Sequence, residues 1–275
     1  MSDQSLLLSI ARSLLTFDAL DLAATTGGLQ LMPENACRYL VLPALAHAIA
    51  TLPADADKPK LSASNLRKLL RGEPFGKGLL VEAEDPFEFS FTESIAFRGR
   101  AYTVFPGNGS ESSTFILRHI FQAIDAIDES QYGKFCEQAE SLARAALTLI
   151  DAVAERAQLT YGVEPTSALR GSVVVPNSST LASLKEAVTF SKSEISTLLA
   201  DADLDISAIE RLVLSFGSIT LDTYRLGDGP AVARPVLFSG DKYIVVNPHS
   251  VLSALRHQIV CLAVSMKSLL SAIIR

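Results

Sequence analysis

Apolar residues recur at helical spacing along most of this chain and give way to β-rich runs in two places. From Gln4 to Thr25, Leu6, Leu7, Ile10, Leu14, Phe17 and Leu20 fall at helical intervals, and Gly27 and Gly28 stand where such a helix would stop. A second helix is predicted from Glu34 to Leu52. Pro43 should kink or split it, because proline has no N–H for the interior ladder. After the polar loop Pro53–Lys60, Ser62 or Ser64 is placed to cap a short helix, Asn65–Arg71, closed by Gly72. The runs Ile95–Phe97 and Ala101–Phe105, parted by Arg98-Gly99-Arg100, read as a hairpin. A turn-rich stretch, Pro106–Ser113, leads into a helix over Thr114–Ile127. The next helix, Tyr132–Leu159, carries the clearest stripe: Phe135, Leu142, Ala146, Leu149, Ile150 and Val153.

Past Tyr161-Gly162 the pattern shifts. Val173–Val175 reads as a short strand ending at Pro176. Helices are predicted at Thr180–Val188 and Lys192–Leu199, the second opened by a capping box of Ser191 and Glu194. Ser207 and Glu210 suggest the same device for Ala208–Leu214. A β meander should follow. Ile219–Leu226 and Val232–Phe238 flank the turn Gly227-Asp228-Gly229-Pro230, and Tyr243–Val246 follows the turn Ser239-Gly240-Asp241-Lys242. Asn247-Pro248 opens the last helix, with proline at its first position. That helix stays apolar to Arg275, whereas chain ends commonly fray into polar residues. Two readings fit: the chain is the front of a longer protein, or the last helix docks on a partner.

These elements predict an α+β fold, predominantly helical, with a β-hairpin in the N-terminal half and a small antiparallel meander in the C-terminal half. Residues 1–161 form a mainly helical region with one hairpin, and residues 162–275 an α+β region ending in an apolar helix. The helix Tyr132–Leu159 can pack against both parts, so one continuous domain is the other reading. No internal repeat is visible.

Composition narrows the classes. Of 275 residues, 48% are hydrophobic and 20% charged, a balance that suits a packed globule and argues against disorder. Tryptophan is absent, so Leu, Ala, Ile and Val must build the core. A net charge of −6 repels phosphate and argues against nucleic acid as a main partner. The small basic groups Arg67, Lys68 and Arg71, and Arg98 with Arg100, read as exposed charges on a helix and a turn. Cys37, Cys136 and Cys261 are odd in number and set in apolar helical patterns, as expected of buried thiols in a reducing, cytoplasmic compartment. The N-terminus lacks the basic region of a signal peptide. Ile259–Ile274 contains Lys267 and three serines, too short and too polar for a membrane span.

The candidate chemistry is thin. Gly107-Asn108-Gly109-Ser110-Glu111-Ser112-Ser113 follows a β-run and precedes a helix, where backbone amides can cradle phosphate. It lacks the Walker lysine, Ser112 stands where a dinucleotide fingerprint needs glycine, and Glu111 would repel phosphate. A glycine turn with serine caps explains it better. Glu82, Glu84, Asp85, Glu88 and Glu93 offer oxygens to a divalent cation but match no calcium loop, and read as a solvated acidic face. Asp55-Ala56-Asp57-Lys58 has the letters of a nuclease metal motif in a loop, and Asp241-Lys242 sits in a turn at the wrong spacing. His257 and Cys261 stand i, i+4 on the last helix, a spacing that suits two metal ligands. Zinc needs a third and usually a fourth, and His249 lies too far along the axis to share one ion with His257. A core thiol beside a half-exposed histidine is the plainer reading. His47 and His119 are isolated and read as structural. Ser218 follows Gly217 but lacks the second glycine of a nucleophile elbow.

Glu84-Asp85-Pro86, Phe91-Thr92-Glu93 and Tyr102-Thr103-Val104-Phe105-Pro106-Gly107 form one stretch, with no diagnostic motif. Arg234-Pro235-Val236-Leu237, Asp241-Lys242-Tyr243 and Pro248 form a second. Over about half the chain, these resemble the N-terminal region of large uncharacterised bacterial proteins, some with nuclease-like effector domains further along. The resemblance implies a bacterial intracellular setting and a scaffold role, and transfers no functional residue. The expectation is therefore a non-catalytic interaction or scaffold region of a larger or oligomeric protein. It would have no assigned catalytic, cofactor-binding or metal residue and no cofactor. It would meet a protein partner, or itself, through the C-terminal helix. The alternative is a metal-dependent hydrolase or nuclease-like enzyme whose residues are scattered in sequence.

Overall fold

The structure, a computed structural model, describes residues 14–32, 35, 41–54, 58–66, 92–105, 113–127, 129–160, 175–223 and 229–265. Its helices are α1 (Ala19–Gln30), α2 (Val41–Ala50), α3 (Ser113–Asp125), α4 (Glu129–Thr160), α5 (Ser178–Ala187), α6 (Lys192–Ala200), α7 (Pro230–Ala233) and α8 (Val251–Ser265). Its strands are β1 (Glu93–Phe97), β2 (Arg100–Val104), β3 (Thr189–Ser191), β4 (Val213–Ser215), β5 (Val236–Ser239) and β6 (Lys242–Val245). The α+β class holds, with a two-stranded sheet β1-β2 and a four-stranded sheet in the order β3-β6-β5-β4. Among the described residues, buried side chains from Leu14 to Ala263 form one hydrophobic cluster that draws on both sheets and on the helices named above. Among the described residues, no helix is long and apolar enough to cross a membrane.

Helix α4 is the spine. Its predicted stripe is fully inside: Phe135, Leu142, Ala146, Leu149, Ile150 and Val153 are all at most 2% exposed. Tyr132 leaves helical geometry at φ −126°, ψ 17°, which kinks the first turn. Along its length α4 meets β2, α5, α6, α8 and the 3₁₀ helix Ile206–Leu212. The hairpin lies against it, and the backbone N–H of Thr103 donates to the Asp151 carboxylate at 2.7 Å. The expected hairpin is present with a tighter turn: Phe97 pairs with Arg100, which leaves Arg98 and Gly99 as the two turn residues.

Helix α1 overturns a prediction. Gly27 and Gly28 do not stop it; the helix continues to Gln30, and both glycines are buried inside it. A Cβ on Gly27 would stand 2.2 Å from the carbonyl oxygen of Val245, and one on Gly28 2.9 Å from that of Leu184. These glycines let α1 press against the end of β6 and against α5, a packing role with no mark in local sequence. At the other end, the Asp18 side chain accepts from the Leu20 N–H at 2.9 Å and caps the helix.

The C-terminal sheet also differs in detail. β3–β6 and β5–β6 pair antiparallel, and the turn at Gly240-Asp241 falls as expected between Ser239 and Lys242. The partner on the far side of β5 is β4, which runs parallel to it, so the sheet is mixed. The predicted strand over Ile219–Leu226 is absent where described: Leu221–Thr223 is a 3₁₀ turn, and residues 224–226 lie outside the described set. Pro230 at the first helical position starts α7, so β5 begins only at Val236. Ala208–Leu214 likewise yields to the 3₁₀ helix Ile206–Leu212, capped by Asp205 instead of Ser207, followed by β4. The capping box of Ser191 and Glu194 on α6 is present in full, and Ser62 takes the cap of the short helix at 63–66. Val173 and Val174 lie outside the described residues.

Candidate functional site

Two grooves meet at Arg98 on the hairpin tip. The first, about 220 Å³, runs between β1 and α3 over Phe97, Leu117, Phe121, Leu147 and Leu255, with Arg98, Arg118 and Asp125 at its edge. The Phe97 and Phe121 rings meet edge to face, 4.6 Å between centroids. The second, about 280 Å³ and more polar, lies between α3 and α4 beside Cys136, Glu137, Glu140 and Arg144. Arg98 stands between them. Its guanidinium reaches Asp125 at 2.6 Å and Glu140 at 3.1 Å, and these carboxylates raise its already high pKa. The Arg98 and Arg100 pair is therefore no free basic patch. Arg100 lies 3.9 Å from Asp151 and over the Tyr102 ring. All these ion pairs are open to solvent and serve to pin the hairpin to α3 and α4.

Two further charged clusters join elements distant in sequence. Lys185 on α5 places Nζ 3.0 Å from both Asp21 oxygens on α1 and 3.3 Å from the Leu61 carbonyl, while Asp21 also accepts from the Leu61 N–H at 2.7 Å. Arg156 on α4 stacks 4.0 Å over Phe190, donates to the Thr189 carbonyl at 3.0 Å and pairs with Glu194 at 2.9 Å. The Ser191 backbone and hydroxyl, then Arg156, hold the Glu194 carboxyl below its usual range. None of these partners is visible in sequence spacing, since each pair joins different elements.

The four histidines divide by burial. His249 is buried, with Nε2 2.9 Å from the Gln30 carbonyl oxygen and its ring 5.0 Å from that of Phe105. Burial pushes its pKa down to about 4, against the pull of the Gln30 carbonyl. His47 is buried on α2, and burial lowers its pKa, opposed by a hydrogen bond with the Thr220 backbone. His119 is exposed on α3. His257 and Cys261 do meet on α8, with Nε2 and Sγ 3.5 Å apart. The thiol is half-buried and the ring exposed, so the expected core thiol is open to solvent on one side.

Among the described residues, no three His, Cys, Asp or Glu side chains converge to hold a metal. Glu93 lies on β1, while Glu82, Glu84, Asp85, Glu88, the Gly107–Ser112 turn, Asp55–Asp57 and Arg67, Lys68 and Arg71 lie outside the described residues. Asp241 uses its carbonyl to accept from the Lys192 N–H at 2.7 Å, and the Ser218 hydroxyl donates to the Ser215 carbonyl at 2.6 Å. Both are turn contacts.

The sequence marks α8 as an apolar helix and a candidate docking element without separating its two faces. Its inward face buries Val251, Leu252, Leu255, Ile259 and Leu262. Val260 and Val264, one turn apart, are 52% and 53% exposed on the opposite side, beside His257. Comparison with known protein families, characterised proteins and solved structures yields no match to this chain.

Proposed function

We propose that this chain is a non-catalytic interaction or scaffold region that contacts another polypeptide through the outward face of α8. The observation that carries the reading is the pair Val260 and Val264, two large apolar side chains more than half exposed on consecutive turns of one helix. Isolated exposed apolar residues are ordinary, but two aligned on a helix form the start of a helix-in-groove or helix–helix contact. The charged clusters support it from the other side. Arg98 with Asp125 and Glu140, Lys185 with Asp21, and Arg156 with Glu194 each tie elements of the fold together. The bacterial, cytoplasmic setting implied by the resemblance belongs to the same proposal.

Light scattering after size exclusion, over a range of concentrations, tests it. The chain should run heavier than a monomer, and Val260→Glu with Val264→Glu should return it to monomer mass without loss of helix content. A wild-type monomer at every concentration, with or without added divalent metal, matched by the variant, would overturn the reading.

A further inference from the structure

We propose that two copies of this chain share one zinc ion held by His257 and Cys261 of each. The inference rests on α8 being the contact face and names the partner as a second copy. In a tetrahedral zinc site, bonds of about 2.3 Å to thiolate and about 2.0–2.1 Å to imidazole set sulfur and nitrogen about 3.5 Å apart. Cys261 Sγ and His257 Nε2 already stand 3.5 Å apart. Their i, i+4 spacing puts both on one side of α8, where the ring is exposed and the thiol partly so.

One copy supplies only half of the tetrahedron, and among the described residues no third ligand joins the pair. A twofold axis through the ion would supply the same two side chains again and complete an S₂N₂ set, which favours zinc among the common divalent ions. On binding, two thiols lose their protons and the ion exchanges its waters for two thiolates and two neutral imidazoles. The resulting centre carries no net charge, so it needs no carboxylate nearby. Val260 and Val264 flank the pair on the same face, and the second α8 would cover them.

The full chain, stripped with EDTA and titrated with Zn²⁺ or Co²⁺, tests this by light scattering and absorption. The mass should double as metal is added, at one ion per two chains. Cobalt should give the intense visible bands of a tetrahedral site and a near-ultraviolet thiolate band. Cys261→Ser and His257→Ala should each abolish both signals, while Cys136→Ser leaves them. A mass indifferent to metal, one ion bound per chain, or a thiolate band that survives Cys261→Ser would overturn the zinc site. Association that persists in EDTA and in both ligand variants, yet is lost in Val260→Glu with Val264→Glu, overturns zinc and leaves the α8 contact standing. A monomer under every condition overturns both.

Discussion

A Cβ added to Gly27 would lie 2.2 Å from the carbonyl oxygen of Val245, a separation no packed side chain can hold. Gly27 is therefore where helix α1 touches the end of β6, and the contact sets how closely the N-terminal helix approaches the C-terminal sheet. Alanine is the better helix former by about 1 kcal/mol. Here the clash with backbone should outweigh that gain, because Val245 is fully buried and its carbonyl accepts no retreat without moving β6. Gly27→Ala is expected to lower stability by about 1–3 kcal/mol, the range of an overpacked core. Gly133 on α4 provides the contrast, since a Cβ there meets nothing within 4 Å. Gly133→Ala should raise stability by about 0.5–1 kcal/mol. Urea unfolding followed by circular dichroism reads both, and equal effects of the two changes would refute the contact.

The Lys185–Asp21 pair should be worth more than the surface ion pairs. Its side chains are only 18% and 10% exposed, and the lysine is also hydrogen-bonded to the Leu61 carbonyl. Lys185→Met leaves the Asp21 carboxylate partly buried with, among the described residues, the Leu61 N–H as the remaining hydrogen-bond partner of that side chain. A loss of about 2–4 kcal/mol is expected, by analogy with other partly shielded pairs broken on one side. Asp21→Asn with Lys185→Met should recover part of it, because no unpaired charge then remains. A double-mutant cycle from urea unfolding measures the coupling, and strict additivity would show that the two groups do not interact.

The sequence made legible what short-range patterns control. The stripe on α4, the capping box at Ser191 and Glu194 and the hairpin turn all depend on residues within one or two turns of each other, whereas Pro248, expected at the first position of the last helix, opens a 3₁₀ turn, Pro248–Ser250, and α8 starts at Val251. What it hid depends on contacts across the chain. Gly27 looked like a stop because glycine near the end of an apolar run usually is one; only the approach of Val245, 218 positions on, gives it a place inside the helix. Ile219–Leu226 looked like a strand from its alternation, yet the sheet's edge is taken by β4, which pairs with β5 in parallel. The candidate site was half legible. The His257–Cys261 spacing is a local signal, while the exposure of that face depends on what packs on the other side of α8.

His249 should make stability depend on pH. Its ring is buried against Phe105, and burial holds its pKa near 4, against an ordinary 6.5 in the unfolded chain. The folded state thus binds the proton less readily than the unfolded one. The contribution is fully present above pH 6.5 and is lost as pH falls towards 4. The shift corresponds to about 3 kcal/mol. His47 is lowered by burial too and adds in the same direction. Urea midpoints measured across this range should fall with acid in the wild type and fall less steeply in His249→Phe. Parallel curves for the two would show that the buried ring does not account for the acid sensitivity.

Arg98 occupies the left-handed region at φ 48°, next to Gly99 at φ 80°, so both turn residues adopt the geometry of a type I′ hairpin turn. That geometry favours asparagine followed by glycine, and arginine is a poor choice for it. Its side chain compensates by reaching Asp125 and Glu140, but those pairs are exposed and each adds little. The two effects oppose each other. Arg98→Asn should therefore change stability by no more than about 0.5 kcal/mol. Gly99→Val is different. Nothing lies within 4 Å of the added Cβ, so the whole cost is backbone strain, about 1–2 kcal/mol for a β-branched residue forced left-handed. Thermal unfolding of the two variants separates turn geometry from ion pairing. A large loss in Arg98→Asn with Gly99→Val silent would mean that the carboxylates on α3 and α4, and not the turn, hold the hairpin in place.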